Sequence, residues 1–190
     1  MASPGIASWK SAANVLTAKN PPGFKIMSTY CAVLEFIHKN DWQGSCHGSS
    51  SVLATLLVAQ GLKPTLCLGE VFQTNFYFDH SWVEIDGEVL DAAISKTLIR
   101  DLEFPPVFRG QDLSAKKPTT LEYGKPSGQG YDASASWIRG ITVLEYMGTF
   151  SDHPDGLFGI AKTIGKGLNL RVSLPSLKGN AAQLQWVEKP

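Results

Sequence analysis

The sequence predicts an α+β fold in which N-terminal helices pack on an antiparallel β-sheet. Three observations carry this reading: apolar residues recur at three- and four-residue steps before residue 60, short Val-, Ile- and aromatic-rich runs fill 65–93, and Asp86-Gly87 separates the last two of those runs. Asp-Gly is the pair that two-residue hairpins favour, because both central residues need positive φ.

Ile6 to Ala18 reads as a short first helix. Lys25 to Lys39 reads as a second, with Ile26, Tyr30, Leu34 and Ile37 on one stripe. Lys19, Asn20, Pro21, Pro22 and Gly23 form the break between them. A third helix is expected from Cys46 to Gln60, carrying Val52, Leu53, Leu56 and Leu57 and stopped by Gly61 and Pro64. Thr65 to Phe72, Phe76 to Glu84 and Glu88 to Ala93 have the length and composition of strands. From Phe104 to Gly130 the chain is rich in Pro, Gly, Lys and Ser, and a long irregular segment is expected there, of the kind that forms lids or binding loops. Helices near Ala133 to Met147 and Gly156 to Leu168, and a terminal strand including Leu184, Trp186 and Val187, complete the reading.

The chain has 190 residues, and its 17 Lys+Arg balance its 17 Asp+Glu. That neutrality argues against a nucleic-acid groove or a polybasic membrane patch. With 43% hydrophobic and 18% charged residues, residues 1–190 read as a single soluble domain with enough chain to bury a sizeable core. No run approaches the ~18–20 apolar residues of a membrane span. The start, MASPGIASWK, lacks the basic segment and apolar block of a signal peptide, so a cytoplasmic location is expected. Cys31, Cys46 and Cys67 are an odd number, which speaks against a disulfide framework.

Cys46 stands at the first turn of an otherwise apolar helix, where the helix N-terminus favours the thiolate. A two-residue turn at Asp86-Gly87 pairs Ile85 with Glu88 and extrapolates to Trp82 opposite Asp91 and His80 opposite Ala93. His80, Trp82 and Glu84 then share a face with Val89, Asp91 and Ala93. His80 and Asp91 become diagonal neighbours, about 7–8 Å apart at the backbone, within reach of an imidazole and a carboxylate. A Cys46–His80–Asp91 relay is therefore available: the imidazole takes the thiol proton and later protonates the leaving group, and the carboxylate orients the imidazole.

A cysteine at a helix start, then His80-Ser81-Trp82-Val83-Glu84-Ile85, then Asp86-Gly87 and Val89-Leu90-Asp91, resembles the transglutaminase-like superfamily over roughly residues 41–94. The resemblance implies a papain-like fold with Cys46 as nucleophile, His80 as base and Asp91 as orienting acid. Cys46 is followed by His47 where the animal transglutaminases usually have Trp. Gln43-Gly44-Ser45-Cys46 is also similar to papain-like peptidases, although their oxyanion glutamine lies farther upstream. Gln43 and Trp42, with the Cys46 N–H, are the oxyanion candidates.

Cys31 and Cys67 fall inside a helix and a strand and read as core, Trp82 reads as a packing platform and substrate-pocket wall, and Glu84 near the turn reads as solvated. His47 is not expected to act as the base, because adjacent helical side chains do not face each other. His38 and His153 sit in contexts typical of helix ends and turns. The run from Gly159 to Gly167 resembles a phosphate loop, but has five residues between its glycines and Gly167 where a Ser or Thr would hold magnesium, so an ordinary amphipathic helix is expected.

The leading expectation is a cofactor-free cysteine hydrolase or acyltransferase, a peptidase or amidase ahead of deamidation or amine transfer. It would act through a Cys46 thioester on a peptide, protein or small amide or ester substrate, with no nucleic-acid or membrane partner. A catalytically inactive binding module that keeps the fold is the alternative. A zinc hydrolase using Cys46, His47, His80 and Asp79 or Asp91 ranks third, since the chain has neither Cys-x-x-Cys nor His-Glu-x-x-His.

Overall fold

A computed structural model describes residues 4–18, 20–99, 102–151 and 153–189. Three helices lead the chain, α1 (Pro4–Leu16), α2 (Pro21–Lys39) and α3 (Cys46–Val58). α2 begins four residues earlier than its apolar stripe suggests. Pro21 and Pro22 occupy its first turn, where a missing N–H costs nothing, and the Asn20 side chain accepts from the Gly23 N–H at 2.8 Å. The prolines thus start the helix instead of only separating it from α1; Lys19, assigned to the same break, lies outside the described residues.

β1 (Thr65–Gln73), β2 (Phe76–Ile85) and β3 (Glu88–Asp91) form an antiparallel meander. Ile85 pairs with Glu88 and Val83 with Leu90, the register that the turn at Asp86-Gly87 dictates, with both turn residues at positive φ. β3 stops at Asp91 rather than continuing to Ala93. The Asp91 carboxylate accepts the Ile94 N–H at 3.2 Å and turns the chain into a 3-10 turn at Ala93–Ser95.

The Pro/Gly-rich stretch is not a structureless loop. It contributes four two-residue strands, β4 (Val107–Phe108), β5 (Gln111–Asp112), β6 (Lys117–Pro118) and β7 (Glu122–Tyr123). The sheet order is β6-β5-β4-β3-β2-β1-β7. α4 (Ala133–Arg139) and α5 (Val143–Gly148) replace the single helix expected near 133–147, because Thr142 and Glu145 form a capping box that starts a new helix just after Gly140. α6 (Leu157–Gly167) is an ordinary amphipathic helix over the glycine-rich run. α7 (Leu174–Ala181), absent from the sequence reading, is opened by a Ser173–Ser176 box. The last strand, β8 (Trp186–Glu188), pairs parallel with β1, so the sheet is not purely antiparallel, and Leu184 lies just before it.

The helices cover one face of the sheet, where Leu34, Leu53, Leu56, Leu57 and Phe158 share a core with Leu66 of β1 and Val83 of β2, all essentially buried. Each such side chain contributes about 1.5–3 kcal/mol. The opposite face carries a smaller core of Cys67, Val71, Trp82, Ile94, Val107 and Leu121. Among the described residues no helix is long and apolar enough to cross a membrane.

Candidate active site

Cys46 opens α3, and Ser45 before it provides no side-chain cap, so the free N–H groups of the first turn remain available to a negative charge. Further along, the Ser50 hydroxyl donates to the Ser81 carbonyl at 2.9 Å, which fixes this end of α3 against β2. The sulfur therefore sits beside His80, half-buried in the wall of a cleft of about 580 Å³.

His80 is held by Asp91. The His80 Nε2 lies 2.7 Å from Asp91 Oδ2, and the two side chains are 6% and 0% exposed. Nε2 is committed to the carboxylate, which leaves Nδ1 for the Cys46 side. The carboxylate also accepts from the Tyr123 hydroxyl at 2.8 Å, and the Tyr30 hydroxyl donates to the Asp91 carbonyl at 3.2 Å. Burial pushes the Cys46 thiol up, but the His47 and His80 imidazoles outweigh it and bring the thiol down to about 5. Burial likewise opposes a charge on His80, yet Asp91 and then Cys46 raise it to about 10. Between these values the arrangement is a thiolate–imidazolium pair resting on a buried carboxylate.

His47, which the sequence reading sets aside as the base, interacts with Cys46 although the two are adjacent at the helix start. Its Nδ1 lies 2.7 Å from the Ser81 Oγ and its ring meets Trp186 edge-on, which places the imidazole where it interacts with the Cys46 sulfur. Tyr123 is the other partner the sequence did not reveal. It arrives on β7, whose two residues carry no periodic signal.

The remaining sequence candidates lie elsewhere. Trp82 is not a wall of the cleft: it is fully buried in the smaller core, 5.0 Å from the Tyr123 ring, with its Nε1–H donating to Glu84 at 2.9 Å. Glu84 is correspondingly not merely solvated, since it also pairs with Lys189 at 2.8 Å. Trp42 and Gln43 line a separate hollow with Phe36 and Ile160, not the Cys46 cleft. Trp42 packs on Phe36 and covers Gly48, where a Cβ would come within 2.8 Å of its ring. Cys31 and Cys67 are buried. His38 bonds Ser95 at 2.9 Å near the end of α2. Among the described residues no group of three or more His, Cys, Asp or Glu side chains could hold a metal ion.

The family model of the transglutaminase-like superfamily matches residues 6–99, just under half of the chain, and spans Cys46, His80 and Asp91. Over these residues the chain is similar to the transglutaminase-like superfamily. No curated protein and no solved structure gives a significant match. The matched segment supplies α1 to α3, the β1–β3 meander and the first wall of the cleft, whereas α4 to α7 lie beyond it. Tyr123, Tyr131 and Asp132 come from beyond it, so the orienting hydroxyl and the second wall are supplied by the other half of the chain.

Proposed function

We propose that the protein is a cysteine-dependent acyl-transfer enzyme, with peptide or amide hydrolysis as its reaction. Similarity over residues 6–99 to a superfamily whose members are generally cysteine acyltransferases and hydrolases supports this. The observation that carries it is the half-buried Cys46 thiol, held at about 5 beside a His80–Asp91 pair in an open cleft.

The Cys46 thiolate attacks the substrate carbonyl carbon, and the oxygen takes up the negative charge. The uncapped N–H groups at the start of α3 are the donors nearest that charge. The tetrahedral intermediate collapses as the His80 imidazolium gives its proton to the leaving nitrogen or oxygen, leaving a Cys46 thioester. The now neutral His80 removes a proton from water, the hydroxide adds to the thioester, and the acid leaves as Cys46 regains the thiolate. The Asp91 carboxylate fixes the ring and stabilises its cationic form. An amine in place of water would give transfer instead of hydrolysis by the same steps.

The test is to incubate the protein with p-nitrophenyl acetate and follow both p-nitrophenol release and the acetylated protein by mass spectrometry. A stoichiometric burst with the acetyl group on Cys46 is expected. Turnover should fall by at least about a thousand-fold in Cys46→Ala and in His80→Ala. Wild-type turnover in either variant would exclude the mechanism.

A further inference from the structure

β2 contributes five consecutive residues, Phe76 to His80, to the Cys46 cleft. A strand seen from one face offers alternate residues, so a run of five means that the cleft meets this strand edge-on. The pairing explains why. β1 covers one edge of β2 from Phe76 to Glu84, whereas β3 covers the other edge only from Ile85 to Val83 and ends at Asp91. No strand among the described residues pairs with that second edge over residues 76–80.

The direction of the backbone groups follows from the hairpin. Ile85 and Glu88 close a two-residue turn and exchange hydrogen bonds, as do Val83 and Leu90. The register with β1 runs without a bulge from Gln73↔Phe76 to Thr65↔Glu84, so the odd-numbered residues of β2 all direct N–H and C=O away from β1. At Ser81 that carbonyl is taken by the Ser50 hydroxyl of α3. At Asp79 and Tyr77, the next two in the series, the groups face the cleft immediately beyond Cys46.

We propose, building on the acyl-transfer reading above, that the acyl donor is an extended peptide segment that binds as an added strand on the Asp79–Tyr77 edge of β2, with its reactive carbonyl delivered to Cys46. An extended main chain is the ligand whose donors and acceptors match an open strand edge. Its side chains alternate between two surroundings. On one side lies a run of rings that begins at the site itself: Phe78 meets His80 edge-on at 5.6 Å and stacks on Phe104 at 6.2 Å with the planes 5° apart. On the other side lie Asp79 and Asp132. The geometry therefore selects an apolar or aromatic side chain facing Phe78 and Phe104, and main-chain pairing beside it.

The test uses three reagents with the same electrophile: chloroacetone, acetyl-Ala-Phe-Gly chloromethyl ketone, and versions of the latter in which one amide N–H at a time is replaced by an ester oxygen. Second-order rates of Cys46 modification are read by mass spectrometry. The peptide reagent should react at least about ten-fold faster than chloroacetone, and one ester replacement should remove about three- to ten-fold, as loss of one main-chain hydrogen bond does. Exchanging Phe for Ala in the reagent should lower the rate separately. Equal rates for peptide and chloroacetone, or indifference to every ester replacement, would overturn the strand-addition proposal while leaving the thiol chemistry intact. A Cys46 that resists chloroacetone until the protein unfolds would remove both.

Discussion

Cys46 and Cys67 lie beside the same strand, and their thiols are driven in opposite directions. Cys67 sits on β1 directly opposite Trp82, fully buried; burial raises its thiol strongly, and the neighbouring Glu84 carboxylate raises it further against a weaker pull from Lys189. Cys46 also feels burial as an upward push, but its neighbours are two imidazoles instead of a carboxylate, and the thiol ends at about 5. Cys31, buried between helices, is pushed up to about 11, mainly by burial. The difference lies in the sign of the adjacent charge: a thiol in a protein interior is inert unless a cationic partner is built beside it.

The comparison can be broken most strongly by removing both imidazoles. The His47→Ala/His80→Ala double variant leaves the upward push of burial unopposed, so the thiol should rise to the ordinary value of ~8.5 or above, at which at most about 1% is ionised at pH 6.5. Cys46 alkylation by iodoacetamide at that pH should then slow by at least about a hundred-fold; an unchanged rate would mean that the imidazoles do not set the ionisation. Next comes Asp91→Asn. Asp91 is the largest influence holding His80 up at about 10, so its imidazolium should then be lost at lower pH as pH rises. Turnover of p-nitrophenyl acetate should drop by about 10–100-fold, with the alkaline limb of its pH profile moved to lower pH.

A smaller effect is expected from Tyr123→Phe, which removes one of the donors to the buried carboxylate. Loss of a hydrogen bond to a charged group costs about 1.5 kcal/mol. For a chain of this size that corresponds to a Tm roughly 4 °C lower in a thermal melt. Turnover should fall a few-fold, because His80 is less firmly oriented. Cys67→Ala should sharpen the contrast from the other side: a cost of about 1–2 kcal/mol in stability by denaturant titration, with the rate of Cys46 alkylation unchanged.

The centre of the site was legible because it depends on short-range rules. Asp86-Gly87 fixes a hairpin register, and the register brings His80 to Asp91; a thiol at the start of an apolar helix needs only the helix to be recognised. Tyr123 was not legible because it reaches Asp91 from a two-residue strand in a Pro/Gly/Lys-rich stretch, where neither periodicity nor a fixed turn specifies direction. The burial of Trp82 was hidden for the same reason, since the residues that cover its face, Val107, Leu121 and Tyr123 among them, come from that stretch. The helical-wheel rule that set His47 aside as the base left its interaction with Cys46 unseen, because that rule holds within a helix. At the first turn the neighbouring strand decides, and Ser81 and Trp186 hold the ring near the sulfur. Trp42 and Gln43 failed as oxyanion candidates because closeness in sequence to the nucleophile said nothing of where Trp42 would find apolar cover.

The most direct measurement is the pH dependence of iodoacetamide labelling, resolved cysteine by cysteine on the native protein. The thiolate of Cys46 forms as pH rises through about 5, and the His80 imidazolium persists until pH rises through about 10. Cys46 labelling should therefore reach half its plateau near pH 5 and remain high through neutrality, with Cys31 and Cys67 unlabelled until the protein unfolds. Half-maximal labelling near the ordinary thiol value of ~8.5, or labelling of all three cysteines together, would contradict an activated nucleophile at the head of α3.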